Sequence, residues 1–220
     1  MRYDAVLFDN DGVLTHLTEL DVLRESVRRA FADEGVDRPA EEDVEALTIR
    51  VTPDQLEATA GAYDLDPESL WRKRDHYATT AQQRAVETGE KPLYDDFDSI
   101  LDVDVPRGIV SSNQHPTVER IVEFNGLGDH FETYYGREMS IDGLRRKKPA
   151  TYYLDRAMAD IGASNALYVG DSESDVVAAQ NAGMDSVFLR RPHRRDVELS
   201  VEPAAEIASL SELAAVVNGQ

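Results

Sequence analysis

At 220 residues the chain is long enough for one well-filled domain, or for a core domain carrying a smaller one. Its 43 acidic residues against 23 Lys and Arg leave a formal charge of −20, a field that repels nucleic acid and anionic membrane, because both bind through cationic contacts. The absence of cysteine excludes a disulfide framework and thiolate chemistry and argues against structural zinc, and no apolar run is long enough to span a bilayer.

The first stretch, Ala5 to Leu14 (AVLFDNDGVL), runs four apolar residues without alternation into Asp9, Asn10, Asp11 and Gly12. An unbroken apolar run of this length predicts a strand buried on both faces, as in a parallel sheet. Two carboxylates at i and i+2 on its end are costly unless a cation waits there, and a hard divalent ion such as Mg²⁺ suits them. The N-terminus lacks the basic-then-apolar pattern of a signal segment, so a soluble cytoplasmic protein is expected. Only four of the bases are lysine (Lys73, Lys91, Lys147, Lys148). Acidity with arginine so favoured is the balance expected of a halophilic protein, kept soluble in concentrated salt where charge repulsion is screened.

Helical spacing then takes over. Leu20, Leu23, Val27 and Phe31 recur on one face with Gly35 as a stop, and Val44, Leu47 and Val51 repeat the pattern. Thr52-Pro53-Asp54-Gln55 is a helix start with a capping residue, a first-turn proline and a glutamine three on. Leu56, Ala60 and Tyr63 form its expected inner face. Asp66-Pro67 opens a further helix, with Leu70, Tyr77, Ala81 and Ala85 expected inward and a stop near Gly89. Residues 16–89 therefore read as four helices without a strand, a small inserted bundle.

From Pro92 short strands and helices alternate. A strand in Pro106–Ser112 is followed by a helix over Pro116–Gly126, a strand in Phe131–Tyr135, and a loop carrying Arg145-Arg146-Lys147-Lys148-Pro149. A helix from Ala150 to Ile161, a buried strand at Ala166–Val169, a helix at Val176–Ala182 and a last strand at Ser186–Leu189 follow. Ser209-Leu210-Ser211-Glu212 opens a C-terminal helix with a capping box. Such alternation predicts an α/β fold with an open, doubly wound parallel sheet.

Sheets of this kind bind ligands beyond the carboxyl ends of their strands. Asp9 and Asp11 lie at one such end, Ser111 at a second and Asp171 at a third, with Asp175 on the following helix and Lys148 in a loop. Singly, each has a plain explanation: a solvated acidic turn, a loop serine, a charge run on an exposed face. Collectively they describe one chemistry. Three carboxylates hold Mg²⁺ with room for phosphate oxygens, and a hydroxyl and an ammonium bind the remaining phosphoryl oxygens. One aspartate is then free to attack phosphorus, and a carboxylate two residues away to protonate the leaving oxygen and later deprotonate water.

In order, the pieces FDNDGV (8–13), VSSN (110–113), KKP (147–149) and VGDSESD (169–175) resemble the four motifs of the haloacid dehalogenase superfamily, and AAQNAG (178–183) resembles the helix that follows the last of them. The resemblance implies a Rossmann-like core, Mg²⁺ dependence and phosphoryl transfer. It makes Asp9 the nucleophile, Asp11 the general acid/base, Ser111 and Lys148 the phosphate-binding pair and Asp171 the metal-binding acid. Asp175 becomes the residue that steadies the site from behind, and Asp11 meets the metal through its main-chain carbonyl. Asn10 and Val13 depart from the pattern, where relatives usually carry an apolar residue and many carry Thr. Asn10 was a candidate to reach toward the helical insertion, and Val13 puts one auxiliary hydrogen bond in doubt. The placement of 16–89 resembles the helical cap of the subfamily with phosphoglycolate phosphatases and β-phosphoglucomutases. The implied organisation is a catalytic core of 1–15 and 90–220 with a cap of 16–89, in which His16, Arg50 and Arg84 are exposed side chains rather than committed contacts. The expected activity is hydrolysis of a small phosphate ester, with a phosphomutase as the alternative. A non-enzymatic phospho-acceptor, which has no use for a seventy-residue insertion, ranks below both. Monomer and homodimer stay equally open.

Overall fold

The computed structural model describes residues 2–219; the outermost positions of the expected core, 1 and 220, lie outside them. The chain opens with β1 (Ala5–Phe8), all four residues buried. Four helices follow: α1 (Leu20–Asp33), α2 (Glu41–Ala46), α3 (Pro53–Ala62) and α4 (Pro67–Thr88). The return to strands gives β2 (Arg107–Gln114), α5 (His115–Phe124), β3 (Thr133–Arg137), α6 (Ile141–Arg146) and α7 (Tyr152–Ile161). The chain closes with β4 (Ala166–Gly170), α8 (Glu173–Asn181), β5 (Asp185–Leu189), β6 (Ala205–Ile207) and α9 (Leu213–Asn218).

The six strands form one parallel sheet in the order β3-β2-β1-β4-β5-β6. Alternation along β1 explains why its apolar run is unbroken. Val6 and Phe8 enter a core with Val118, Val122 and Leu213 on one face of the sheet. Ala5 and Leu7 enter another with Tyr153, Leu154, Ala178 and Ala179. The sheet is therefore covered on both faces, an α/β Rossmann-like fold.

The inserted helices carry a core of their own, built on Phe31, Leu47, Leu56, Leu70 and Trp71. The Thr52 capping box is formed, with Gln55 N–H donating to Thr52 Oγ1 at 3.2 Å and Thr52 N–H donating to Gln55 Oε1 at 2.9 Å. Three expectations change. The stretch before Lys147 is a helix, α6, capped by Ser140, and its Leu144 packs into the insertion's core. The inner face of α4 is also not the apolar stripe expected: Tyr77, Ala81 and Ala85 are half-buried, whereas Arg74, Asp75 and Gln82 are buried beside Leu70 and Trp71. Apolar spacing misses that face because Asp75 and Gln82 find their partners on the sheet and Arg74 donates to the Leu47 and Thr48 carbonyls. A short further strand, β6, pairs with β5 beyond the strand expected to be last.

Candidate active site

Phe8 is level with Ile109 of β2 and Val169 of β4, so Asp9 and Asp171, each directly after its strand, lie beside Ser111 in the irregular last part of β2. The Asp9 N–H still donates to the Val169 carbonyl at 2.8 Å, which ties the first loop to the β4 end. Gly12 lets this loop pass against its neighbour. Its φ is +82°, and a Cβ there would lie 2.3 Å from Asp171 Oδ2 and 3.2 Å from His193 Nε2. Gly170 makes a second close approach, with room for no Cβ beside the Asp175 side chain.

Lys148 is the point of convergence. Its ammonium, almost fully buried, lies 2.9 Å from Asp9 Oδ1 and 2.6 Å from Asp175 Oδ1, and donates to the Tyr168 hydroxyl at 2.6 Å. Burial works against the charge on Lys148, but the Asp175 and Asp9 carboxylates outweigh it and raise its pKa well above the ordinary lysine value. Burial pushes the Asp9 carboxyl up to about 7; the Lys148 cation opposes that rise, and Asp175, Asp171 and Asp11 add to it. Asp175 is the third residue of α8, where its Oδ2 accepts from Ser172 N–H at 2.9 Å and Ser172 Oγ at 2.6 Å. The same side chain thus caps a helix with one oxygen and faces Lys148 with the other.

Asp171 is held from the segment after β5, by His193 Nε2 at 2.8 Å and Arg194 Nε at 2.9 Å, both on Oδ2. Asp11 turns the other way. The buried Lys91 ammonium donates to its Oδ1, and Asn113 Nδ2 donates to its Oδ2 at 2.9 Å. Burial alone would raise the Asp11 pKa, but the Lys91 charge and hydrogen bonds from Lys91, Asn113 and Asn10 hold it below the usual carboxylate range. Lys91 also donates to the His16 carbonyl and Thr18 Oγ1, so it joins Asp11 to both connections between the insertion and the sheet. Ser111 is buried beside them, its Oγ accepting from Asn113 N–H at 3.2 Å.

Carboxylate oxygens of Asp9, Asp171 and Asp175 lie within 4.8 Å of one another. Every hydrogen bond to Asp171 among the described residues falls on Oδ2, and those to Asp9 fall on Oδ1, which leaves one oxygen of each open. Hard oxygen donors in such a cluster fit a small divalent cation. The carboxylate of Asp11 is not part of the cluster.

The structure therefore brings Asp9, Lys148, Asp171 and Asp175 into one group by distance and sets Ser111 at the neighbouring strand end. Asp11 is adjacent but faces Lys91. Asn10 does not reach the helical insertion: fully buried, it donates to Thr15 Oγ1 at 3.1 Å within its own loop. His16, Arg50 and Arg84 are exposed, as expected, and His16 stacks on Tyr94 with 4.0 Å between ring centres. Sequence reasoning passed over Lys91, Asn113, Tyr168, His193 and Arg194. The scarcity of lysine was a usable signal for Lys91, whereas Tyr168 is hidden inside an apolar run.

A family model described as haloacid dehalogenase-like hydrolase matches residues 6–189. A phosphoglycolate phosphatase from Rhodobacter capsulatus is 25% identical over 98% of this chain and 97% of its own length. The pyrophosphatase PpaX of Bacillus velezensis is 27% identical over 96% of this chain and 95% of its own. Among solved structures, CbbY from Rhodobacter sphaeroides in complex with phosphate superposes with a TM-score of 0.72 at 21% identity, covering 96% of both chains. No helix among the described residues is long and apolar enough to cross a membrane. The matched span contains Asp9, Lys148 and Asp171 with all the strands on which they converge, and the chain belongs to the haloacid dehalogenase-like hydrolase family.

Proposed function

We propose that this hydrolase is a Mg²⁺-dependent phosphatase of small phosphorylated metabolites, working through an aspartyl phosphate on Asp9. The observation that carries this reading is the convergence of Asp9 and Asp175 on the Lys148 ammonium, with an Asp171 carboxylate oxygen within 4.8 Å of theirs. Asp9 and Asp171 would hold the divalent cation, with the main-chain carbonyl of Asp11 as the family resemblance implies, and the bound ion would neutralise charge on the phosphoryl group. Asp175 steadies Lys148 and the start of α8.

The chain's own residues divide the rest of the work. Lys148 and the Ser111 hydroxyl hold non-bridging phosphoryl oxygens. An Asp9 oxygen forms a bond to phosphorus as the bond from phosphorus to the ester oxygen breaks, and Asp11 gives that oxygen a proton. Asp11 then takes a proton from water, whose oxygen displaces Asp9 and releases orthophosphate. The hydrogen bonds from Lys91 and Asn113 favour ionised Asp11, the form the second step requires and the opposite of the protonated form from which the first step starts. Residues 16–89 act as a cap over a core of 1–15 and 90–220, a division supported by the insertion's separate apolar core. The phosphoglycolate phosphatase and pyrophosphatase relatives name the first substrates to try. The acidic composition points to a halophilic setting.

The test is phosphate release from p-nitrophenyl phosphate, phosphoglycolate and pyrophosphate, with Mg²⁺ or with EDTA, across a range of KCl. Turnover is expected with Mg²⁺ and lost with EDTA or in Asp9→Asn. No turnover on any substrate at any salt concentration would favour a phospho-acceptor module, and isomerised sugar phosphate without phosphate release would favour a mutase.

A further inference from the structure

Tyr168 lies in the middle of β4 and is fully buried. Its hydroxyl reaches across the sheet to donate to the Val110 carbonyl of β2 at 2.7 Å. The single phenolic proton is thereby committed, so toward Lys148, 2.6 Å away, the same oxygen acts as acceptor. Val110 immediately precedes Ser111, and the β2–β3 pairing becomes irregular between Val110 and Gln114. The carbonyl that receives Tyr168 thus marks the point where β2 leaves regular register to present its serine.

Lys148 has three N–H groups and three close oxygens: Asp9 Oδ1, Asp175 Oδ1 and the Tyr168 hydroxyl. Two of these carry charge and pull the ammonium toward themselves. The neutral third opposes their pull and is anchored to the backbone, so it sets where the ammonium rests. Because Asp175 is itself fastened to Ser172, an ammonium without the hydroxyl has every reason to settle on Asp175.

We propose that Tyr168 is a positioning residue of the phosphate site, its hydroxyl bracing the Lys148 ammonium against the β2 end that carries Ser111. This rests on the reading that Lys148 and Ser111 hold the phosphoryl group. The role is indirect. Tyr168 touches no reacting atom and fixes the spacing of the two groups that do.

Tyr168→Phe deletes the one oxygen and little else. With p-nitrophenyl phosphate and Mg²⁺, its KM and the inhibition constant of orthophosphate are expected to rise together by about fivefold, the scale of one ordinary net hydrogen bond. In a Lys148→Ala background the same change is expected to add nothing, because the brace then has nothing to hold. A folded Tyr168→Phe protein with both constants within about twofold of wild type overturns the proposal. So does an equal loss with and without Lys148, which would mark a general packing role. Tyr168→Met, which also lacks the hydroxyl but repacks flexibly, is read by the same criteria if the Phe variant does not fold. Wild-type protein without Mg²⁺-dependent turnover would instead overturn the phosphatase reading on which this one stands.

Discussion

Two adjacent lysines, Lys147 and Lys148, are indistinguishable by composition, yet the fold assigns them opposite errands. Lys148 points into the carboxylate group, whereas Lys147 donates to the Val51 carbonyl in the helical insertion at 2.6 Å. Burial, with Arg137 and Arg74 nearby, brings the Lys147 pKa down to about 8. Lys148→Ala is expected to raise KM for a phosphate ester by about tenfold or more, as loss of a charge-assisted contact does. Lys147→Ala should leave KM unchanged, and steady-state kinetics on the two variants would expose a reversed assignment. At this scale much was legible beforehand: Asp9 and Asp171 follow from residue types placed at strand ends, and Lys148 and Asp175 from the motifs that contain them. The direction of Asp11 was not, because its partners Lys91 and Asn113 lie 80 and 102 residues away. The Tyr168 contact was hidden for another reason, since hydropathy weighs the ring and ignores the hydroxyl.

Helix α4 shows where an element defeats its own periodicity. Asp75, fully buried, accepts from Arg137 Nη1 at 2.5 Å, Arg137 Nη2 at 2.7 Å and Gln114 Nε2 at 2.8 Å. The Arg74 and Arg137 guanidiniums both pack on the Trp71 ring, 4.9 and 4.8 Å from its centre. Two turns further on, Gln82 donates to Asn113 Oδ1 at 3.1 Å, and Asn113 in turn holds Asp11. The helices of the insertion were legible from capping residues and spacing, but the polar face of α4 was not, because its partners belong to β2 and β3. Burial pushes the Asp75 carboxyl up, yet the Arg137 and Arg74 charges and their hydrogen bonds outweigh it and hold its pKa below the usual range. A carboxyl depressed in this way stabilises the fold above its unfolded value of about 4, and that stability is lost as pH falls toward the folded value. Asp75→Asn is therefore expected to cost about 3–5 kcal/mol at neutral pH, since it strands two buried guanidiniums. In urea unfolding the gap to wild type should close as pH drops below about 4; a gap independent of pH would contradict the assignment.

For the molecule as a whole, the charge of −20 is a burden carried at the surface, while the pairs that shape the site are buried. Salt reaches the first and hardly the second, since the screening length falls from about 10 Å at 0.1 M to about 3 Å at 1 M. Raising KCl from about 0.1 M to about 2 M is expected to raise the melting temperature steadily, and a flat or falling trend would rule out surface repulsion as the limiting factor. The parallel sheet and the insertion's place in the chain were legible because strands and helices obey separate periods; β6 was too short to announce itself. The two connections between insertion and sheet do not run apart. Thr15 bridges Leu93, and the His16 N–H donates to the Pro92 carbonyl at 3.0 Å, so the outgoing and returning chain lie side by side like the stem of a hairpin. The helices hang from the sheet by a single stalk, and such a stalk is a natural graft point. A tight turn joining its two sides would close the chain over the missing segment at little entropic cost, and a different bundle spliced in there would inherit the same seat above the strand ends.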